Sequence, residues 1–171
     1  MVTNLHESFI QLVRQGIGHT DTTEITDSVD WVEVKTLAEE QGLSAVVLDG
    51  IEKLPVTSRP PQELLLEWIG ETLQSESIYK TQQKEAIKMA GLFQNNGIRT
   101  YVLKGVVVAE CYPKPLHRSS VDMDCYLLPE ENDFDAWKLG NDLIKTQSYE
   151  VAFDYYKNST FYLSDLTVEN H

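Results

Sequence analysis

The chain has 171 residues, 42% hydrophobic and 24% charged, enough for one ordinary domain with a buried core. Its longest apolar runs, such as Ala45 to Leu48 and Val106 to Ala109, are far shorter than the roughly 20 residues a membrane span needs. With 14 Lys and Arg against 27 Asp and Glu the net charge is −13, which repels a phosphate backbone and disfavours nucleic acid as a partner.

The first half has the three-and-four apolar spacing of helices. Leu5, Phe9, Leu12 and Val13 share one face, and Gly16 with Gly18 ends that segment. Met1 to Gln15 carries His6, Glu7, Gln11 and Arg14 among its apolar positions and does not resemble a secretory leader, so a cytoplasmic location with no membrane attachment is expected. His19 to Ser28 is polar and loop-like. Asp30 can cap a helix starting at Trp31, with Trp31, Val34, Leu37 and Ala38 on its buried face and Gly42 at its end. Leu43 to Ile51 is a second, buried helix, and Leu54 to Pro61, with three prolines, is a turn-rich connection. A long helical pattern then runs from Gln62 to about Asn95, carrying Leu65, Ile69, Leu73, Ile78, Ile87 and Phe93, until Asn95, Asn96 and Gly97 stop it.

Beyond Gly97 the period changes. Ile98 to Leu103 is a short strand, Lys104 and Gly105 a turn, and Val106 to Tyr112 two helical turns closed by Pro113 and Pro115. Val121 to Leu128 is a strand, Glu130 to Thr146 a helix, and Tyr149 to Asp154 another strand. Asn158 to Leu163 and Leu166 to His171 form a hairpin turning at Ser164 and Asp165. The fold class is therefore α+β, with a helical N-terminal region over residues 1–96 and an α/β core over 97–171. The two cysteines, Cys111 and Cys125, have no partner at zinc-site spacing and are expected to be reduced, partly buried thiols.

Side chains alternate along a strand, so Asp122 and Asp124 point the same way while Met123 and Cys125 face the packed side. Two carboxylates about 7 Å apart at their Cα atoms can converge on a hard cation. Such a pair suits Mg²⁺ (or Mn²⁺), which takes one or two carboxylates together with phosphate oxygens and water. Chance produces the same spacing in an acidic chain, and Asp133-Phe134-Asp135 is read as a solvated helix start. Three further features accompany the first pair. Gly105 opens a short helix directly after a strand, where backbone amides can receive phosphate, and Lys104 adds a positive charge beside it. Arg118 can clamp a triphosphate bidentately, or pair with one of the many carboxylates. Glu169, on the last strand, would join the pair if that strand lay antiparallel beside it, although its place two residues from the chain end invites fraying.

The string Gly97-Ile98-Arg99-Thr100-Tyr101-Val102-Leu103-Lys104-Gly105, then Tyr112-Pro113-Lys114-Pro115-Leu116-His117-Arg118, then Asp122-Met123-Asp124, resembles an uncharacterised nucleotidyltransferase family. That family belongs to the DNA polymerase beta-like nucleotidyltransferase superfamily. Val168-Glu169-Asn170-His171 resembles its later strand, and the helical first half resembles its N-terminal region, so the resemblance covers nearly the whole chain. It implies a mixed β-sheet with helices packed on it, Asp122 and Asp124 as ligands of a catalytic metal, and Glu169 as the third acid. Lys104 and Gly105 stand where other superfamily members carry a Gly-Ser pair that holds the triphosphate. The chain departs from the family at Val121, where a small residue is usual, and at Asn170, where an apolar one is usual. Relatives continue beyond the strand that ends at His171, which implies a truncated C-terminus.

The expected activity is metal-dependent transfer of a nucleoside monophosphate from a nucleoside triphosphate to a hydroxyl acceptor, with release of pyrophosphate. In that scheme Asp122, Asp124 and Glu169 are catalytic and hold the metal, while Lys104, Gly105 and Arg118 bind the triphosphate. A small molecule or a protein is favoured over nucleic acid as acceptor. The rival expectation is a catalytically inactive nucleotide-binding or protein-interaction domain that keeps the fold.

Overall fold

The computed structural model of the chain describes residues 2–20, 25, 29–119, 122–131, 134–147, 149–154, 158–163 and 166–171. Val121, Asp133 and the turn at Ser164 and Asp165 lie outside them, as does most of the stretch from His19 to Ser28. The chain divides into two compact units, one of residues 1–76 with 111–119 and one of residues 77–110 with 120–171.

The first unit is helical. Helices α1 (Val2–Gly16), α2 (Trp31–Glu40) and α3 (Ser44–Glu52) precede a 3₁₀ turn at Val56–Ser58, and the long helix α4 (Gln62–Gln94) begins in this unit. Asp30 caps α2 as its sequence position requires, accepting hydrogen bonds from the amides of Val32 and Glu33 at 3.1 Å. At the other end Leu43 N donates to Ala38 O and Gly42 N to Glu39 O, the paired bonds that close a helix through a left-handed residue. Leu12, Val34, Ala38, Val47, Ile51 and Trp68 are fully buried and form the core. Gly16 and Gly50 set the approach of α1 to α3. A Cβ on Gly16 would lie 2.0 Å from Val46 O, and one on Gly50 would lie 2.2 Å from Leu12 O, so neither position admits a side chain.

The apolar positions read along α4 divide differently from expectation. Phe93 is fully buried, but Leu73, Ile78 and Ile87 are exposed, and Trp68, Tyr79 and Met89 take the inward face instead. Hydrophobic type alone does not define a stripe on so long a helix, because angular position about the axis decides which residues face a neighbour.

The second unit holds a five-stranded mixed sheet. Its strands are β1 (Ile98–Val102), β2 (Asp122–Pro129), β3 (Val151–Asp154), β4 (Asn158–Leu163) and β5 (Leu166–Asn170), in the order β1-β2-β5-β4-β3. Helix α5 (Val106–Ala109) is a single turn, shorter than the two turns expected before Pro113. Helix α6 (Ala136–Thr146) starts later than Glu130, because the Asp135 side chain takes the Lys138 amide at 2.9 Å and fixes the first turn there. One sheet face buries Ile98, Met123, Cys125, Leu127, Phe161, Leu163 and Val168 against α6 and the end of α4, through Met89, Phe93, Ala136 and Ile144. The opposite face leaves Tyr101, Tyr126, Leu128 and Tyr162 exposed.

The expected antiparallel pairing of the last strand with the Asp122–Asp124 strand is corrected: β5 runs parallel to β2, with Asp124 opposite Glu169 and Asp122 opposite Thr167. Topology supplies the reason. Helix α6 returns the chain across the sheet, and two successive antiparallel pairings, β3 with β4 and β4 with β5, leave β5 running in the direction of β2. The position of β5 between β2 and β4 also gives Glu169 hydrogen-bonded neighbours on both sides, so the end of the chain is tied into the middle of the sheet.

Candidate active site

Strand alternation puts Asp122 and Asp124 on the face of β2 opposite Met123 and Cys125, which are 2% and 0% exposed. The two carboxylates differ in setting. Asp122 is exposed at the start of the strand, whereas the Asp124 side chain is 4% exposed and surrounded by polar partners. The Leu103 amide donates to Asp124 O at 2.9 Å, extending the β1–β2 ladder, and the next residue, Lys104, places Nζ 3.2 Å from Asp124 Oδ2. His171 Nε2 lies 2.8 Å from the other oxygen, Asp124 Oδ1. Burial by itself would raise the Asp124 carboxyl, but His171 and Lys104 outweigh it and hold the group below the usual carboxylate range.

Glu169 reaches the same spot from β5. Its Oε2 accepts a hydrogen bond from Asn158 Nδ2 at 2.8 Å and lies 3.8 Å from His171 Nε2. One ligand atom each from Asp124, Glu169 and His171 falls within 4.8 Å of the others, a spacing at which a single cation could be held. Asp122 stands one pleat away from this group on the same face.

Gly105 has φ +66 and ψ −115, a backbone conformation that a residue with a Cβ adopts only under strain. It lets the chain turn from β1 into α5 directly after Lys104. The amides expected to receive phosphate are those of one helical turn, Val106–Ala109. Arg118 lies in the helical unit, just after a 3₁₀ turn at Pro115–His117, where its Nη1 donates to Ser119 O at 3.4 Å. Behind β2 the Cys125 thiol is pushed up to about 12 by burial and by the charge of Asp124, which keeps it protonated and unreactive. Cys111 is exposed and also free.

A family profile described as an uncharacterised nucleotidyltransferase matches residues 27–171. The chain belongs to this nucleotidyltransferase family. No curated protein and no solved structure matches it. Membership assigns nucleotidyl transfer as the general activity and a nucleoside triphosphate as the substrate class, and the group at Asp124 offers this nucleotidyltransferase a potential metal site. No helix among the described residues is long and apolar enough to cross a membrane.

Two members of the site had no role assigned from the sequence. His171 belongs to the terminal string, and alternation from Glu169 puts it on the same face. Asn158 carries no local signal. It reaches Glu169 because β4 and β5 pair antiparallel with Thr160 opposite Glu169.

Proposed function

We propose that this nucleotidyltransferase moves a nucleoside monophosphate from a nucleoside triphosphate to a hydroxyl acceptor and releases pyrophosphate. The observation that carries this reading is the meeting of Asp124 and Glu169 in register on parallel strands, in a chain belonging to a nucleotidyltransferase family. The donor set suits a divalent cation, since the carboxylate oxygens of Asp124 and Glu169 converge and Asn158 orients one of them. Asp122, Asp124 and Glu169 would hold Mg²⁺ or Mn²⁺. Bound there, the cation would supply charge neutralisation for the triphosphate and polarise its oxygens.

The protein groups carry the remaining work. Glu169 takes the proton from the acceptor hydroxyl. The acceptor oxygen then forms a bond to the α-phosphorus as the bond to the bridging oxygen breaks, and pyrophosphate leaves with that electron pair. Lys104, whose side chain is 69% exposed, can turn from Asp124 toward phosphate oxygens. The amides at Gly105 serve the same triphosphate. The acidic balance of the chain favours a small-molecule hydroxyl or a protein side chain as acceptor.

Asp124→Asn and Glu169→Gln test the assignment. Pyrophosphate release from nucleoside triphosphates with Mg²⁺ or Mn²⁺ should fall about 100-fold or more in each variant, the scale of losing a principal charge-stabilising group. Unchanged turnover in both variants would sink it. Nucleotide binding without pyrophosphate release in the parent chain would instead favour the non-catalytic nucleotide-binding reading.

A further inference from the structure

His171 has a geometry that the carboxylate scheme leaves unused. Its amide donates to Cys125 O at 3.0 Å, so the β2–β5 ladder continues one residue past Asn170 and fixes where the imidazole begins. Alternation then puts the ring on the face of Glu169. Its Nε2 lies 2.8 Å from Asp124 Oδ1 and 3.8 Å from Glu169 Oε2, within reach of both carboxylates. The other oxygen of Asp124 faces Lys104 Nζ at 3.2 Å, so His171 and Lys104 meet different edges of the same carboxylate. The His171 side chain is 35% exposed, so its ring is open to solvent.

We infer that His171 is a ligand of the cation held by Asp124 and Glu169, and that the site consequently prefers Mn²⁺ over Mg²⁺. The inference rests on the carboxylate metal site proposed above. Its chemical basis is ligand softness. Mg²⁺ is bound through oxygen and parts reluctantly with water, whereas imidazole nitrogen is a good ligand for first-row transition ions, and Mn²⁺ accepts carboxylate and imidazole together. A site of two carboxylates and one imidazole therefore discriminates between the two cations where an all-carboxylate site does so much less.

Pulsed electron paramagnetic resonance of the chain loaded with Mn²⁺ reads the ligand directly. Nitrogen modulation from a coordinated imidazole is expected in the parent protein and should be absent in His171→Gln. By calorimetric titration, His171→Gln should weaken Mn²⁺ binding about 10-fold or more, the scale of disturbing a metal's ligand environment, and should weaken Mg²⁺ binding by a clearly smaller factor. Bound Mn²⁺ without nitrogen modulation in the parent chain would overturn the inference while leaving the carboxylate site standing. A parent chain that binds neither cation would overturn both. The parent-chain spectrum decides the question even if the variant fails to fold.

Discussion

At the scale of single residues, His117 is a buried polar group held at both ring nitrogens. Its Nδ1 lies 2.7 Å from Asp49 Oδ2 and its Nε2 3.0 Å from Glu76 Oε1, and Lys114 Nζ holds the other oxygen of Asp49. These contacts tie the Tyr112-to-Arg118 segment to α3 and α4 within the helical unit. The Asp49 hydrogen bond chiefly raises the His117 pKa, with help from Glu76, against burial and the charge of Lys114. For Asp49, burial would raise the carboxyl, but His117 and Lys114 bring it below its ordinary value. The signs follow from linkage. The contribution of His117 is complete below its ordinary value of 6.5 and is lost as pH rises through its raised folded value. That of Asp49 is present above 3.8 and is lost as pH falls through its depressed folded value. Urea unfolding should therefore show greater stability at about pH 5 than at about pH 9. His117→Gln should cost about 2 kcal/mol at the lower pH and flatten the decline above neutrality. An equal slope in the parent and the variant would remove His117 as its source.

At the scale of elements, glycine substitution should have opposite effects at two helical positions of the same unit. Gly50→Ala sets a methyl against Leu12 O at a separation of 2.2 Å, and backbone cannot yield as a flexible side chain can. A loss of about 2 kcal/mol is expected from that overpacking. Gly70 lies in α4 with no atom within 4 Å of where its Cβ would stand. Gly70→Ala should raise stability by about 0.5 to 1 kcal/mol through helix propensity alone. Thermal or urea unfolding of both variants checks the pair, and a stabilising Gly50→Ala would refute the close crossing of α1 and α3. The elements themselves were largely legible. Asp30 announced the start of α2, Asn95 to Gly97 the end of α4, and the change of period beyond Gly97 the first strand, since caps and alternation are local properties. The beginning of α6 was not, because Asp133 and Asp135 offer equivalent capping chemistry in the sequence, whereas in the structure the Lys138 amide donates to Asp135 and fixes the first turn.

At the scale of the whole molecule, net charge governs which acceptors can approach. With a net charge of −13, a single-stranded oligonucleotide should bind no tighter than the weak end of nonspecific association, about 10⁻⁴ M at physiological salt. Fluorescence anisotropy of a labelled oligonucleotide titrated with the chain measures this, and submicromolar binding would contradict the preference for a small-molecule or protein acceptor. The pairing of strands also belongs to this scale. Sequence by itself determined the α+β class, the shared face of Asp122 and Asp124, the buried Cys125, and the resemblance to a nucleotidyltransferase family, because these depend on residue type and on a period of two. Only the tertiary structure decided that β5 lies parallel to β2, that Asp124 faces Glu169 across the ladder, and that His171 and Asn158 reach these acids. The partners come from strands far apart in the chain, and the direction in which such strands meet is set by the path of α6 and the β3–β4 hairpin, for which no local sequence signal exists.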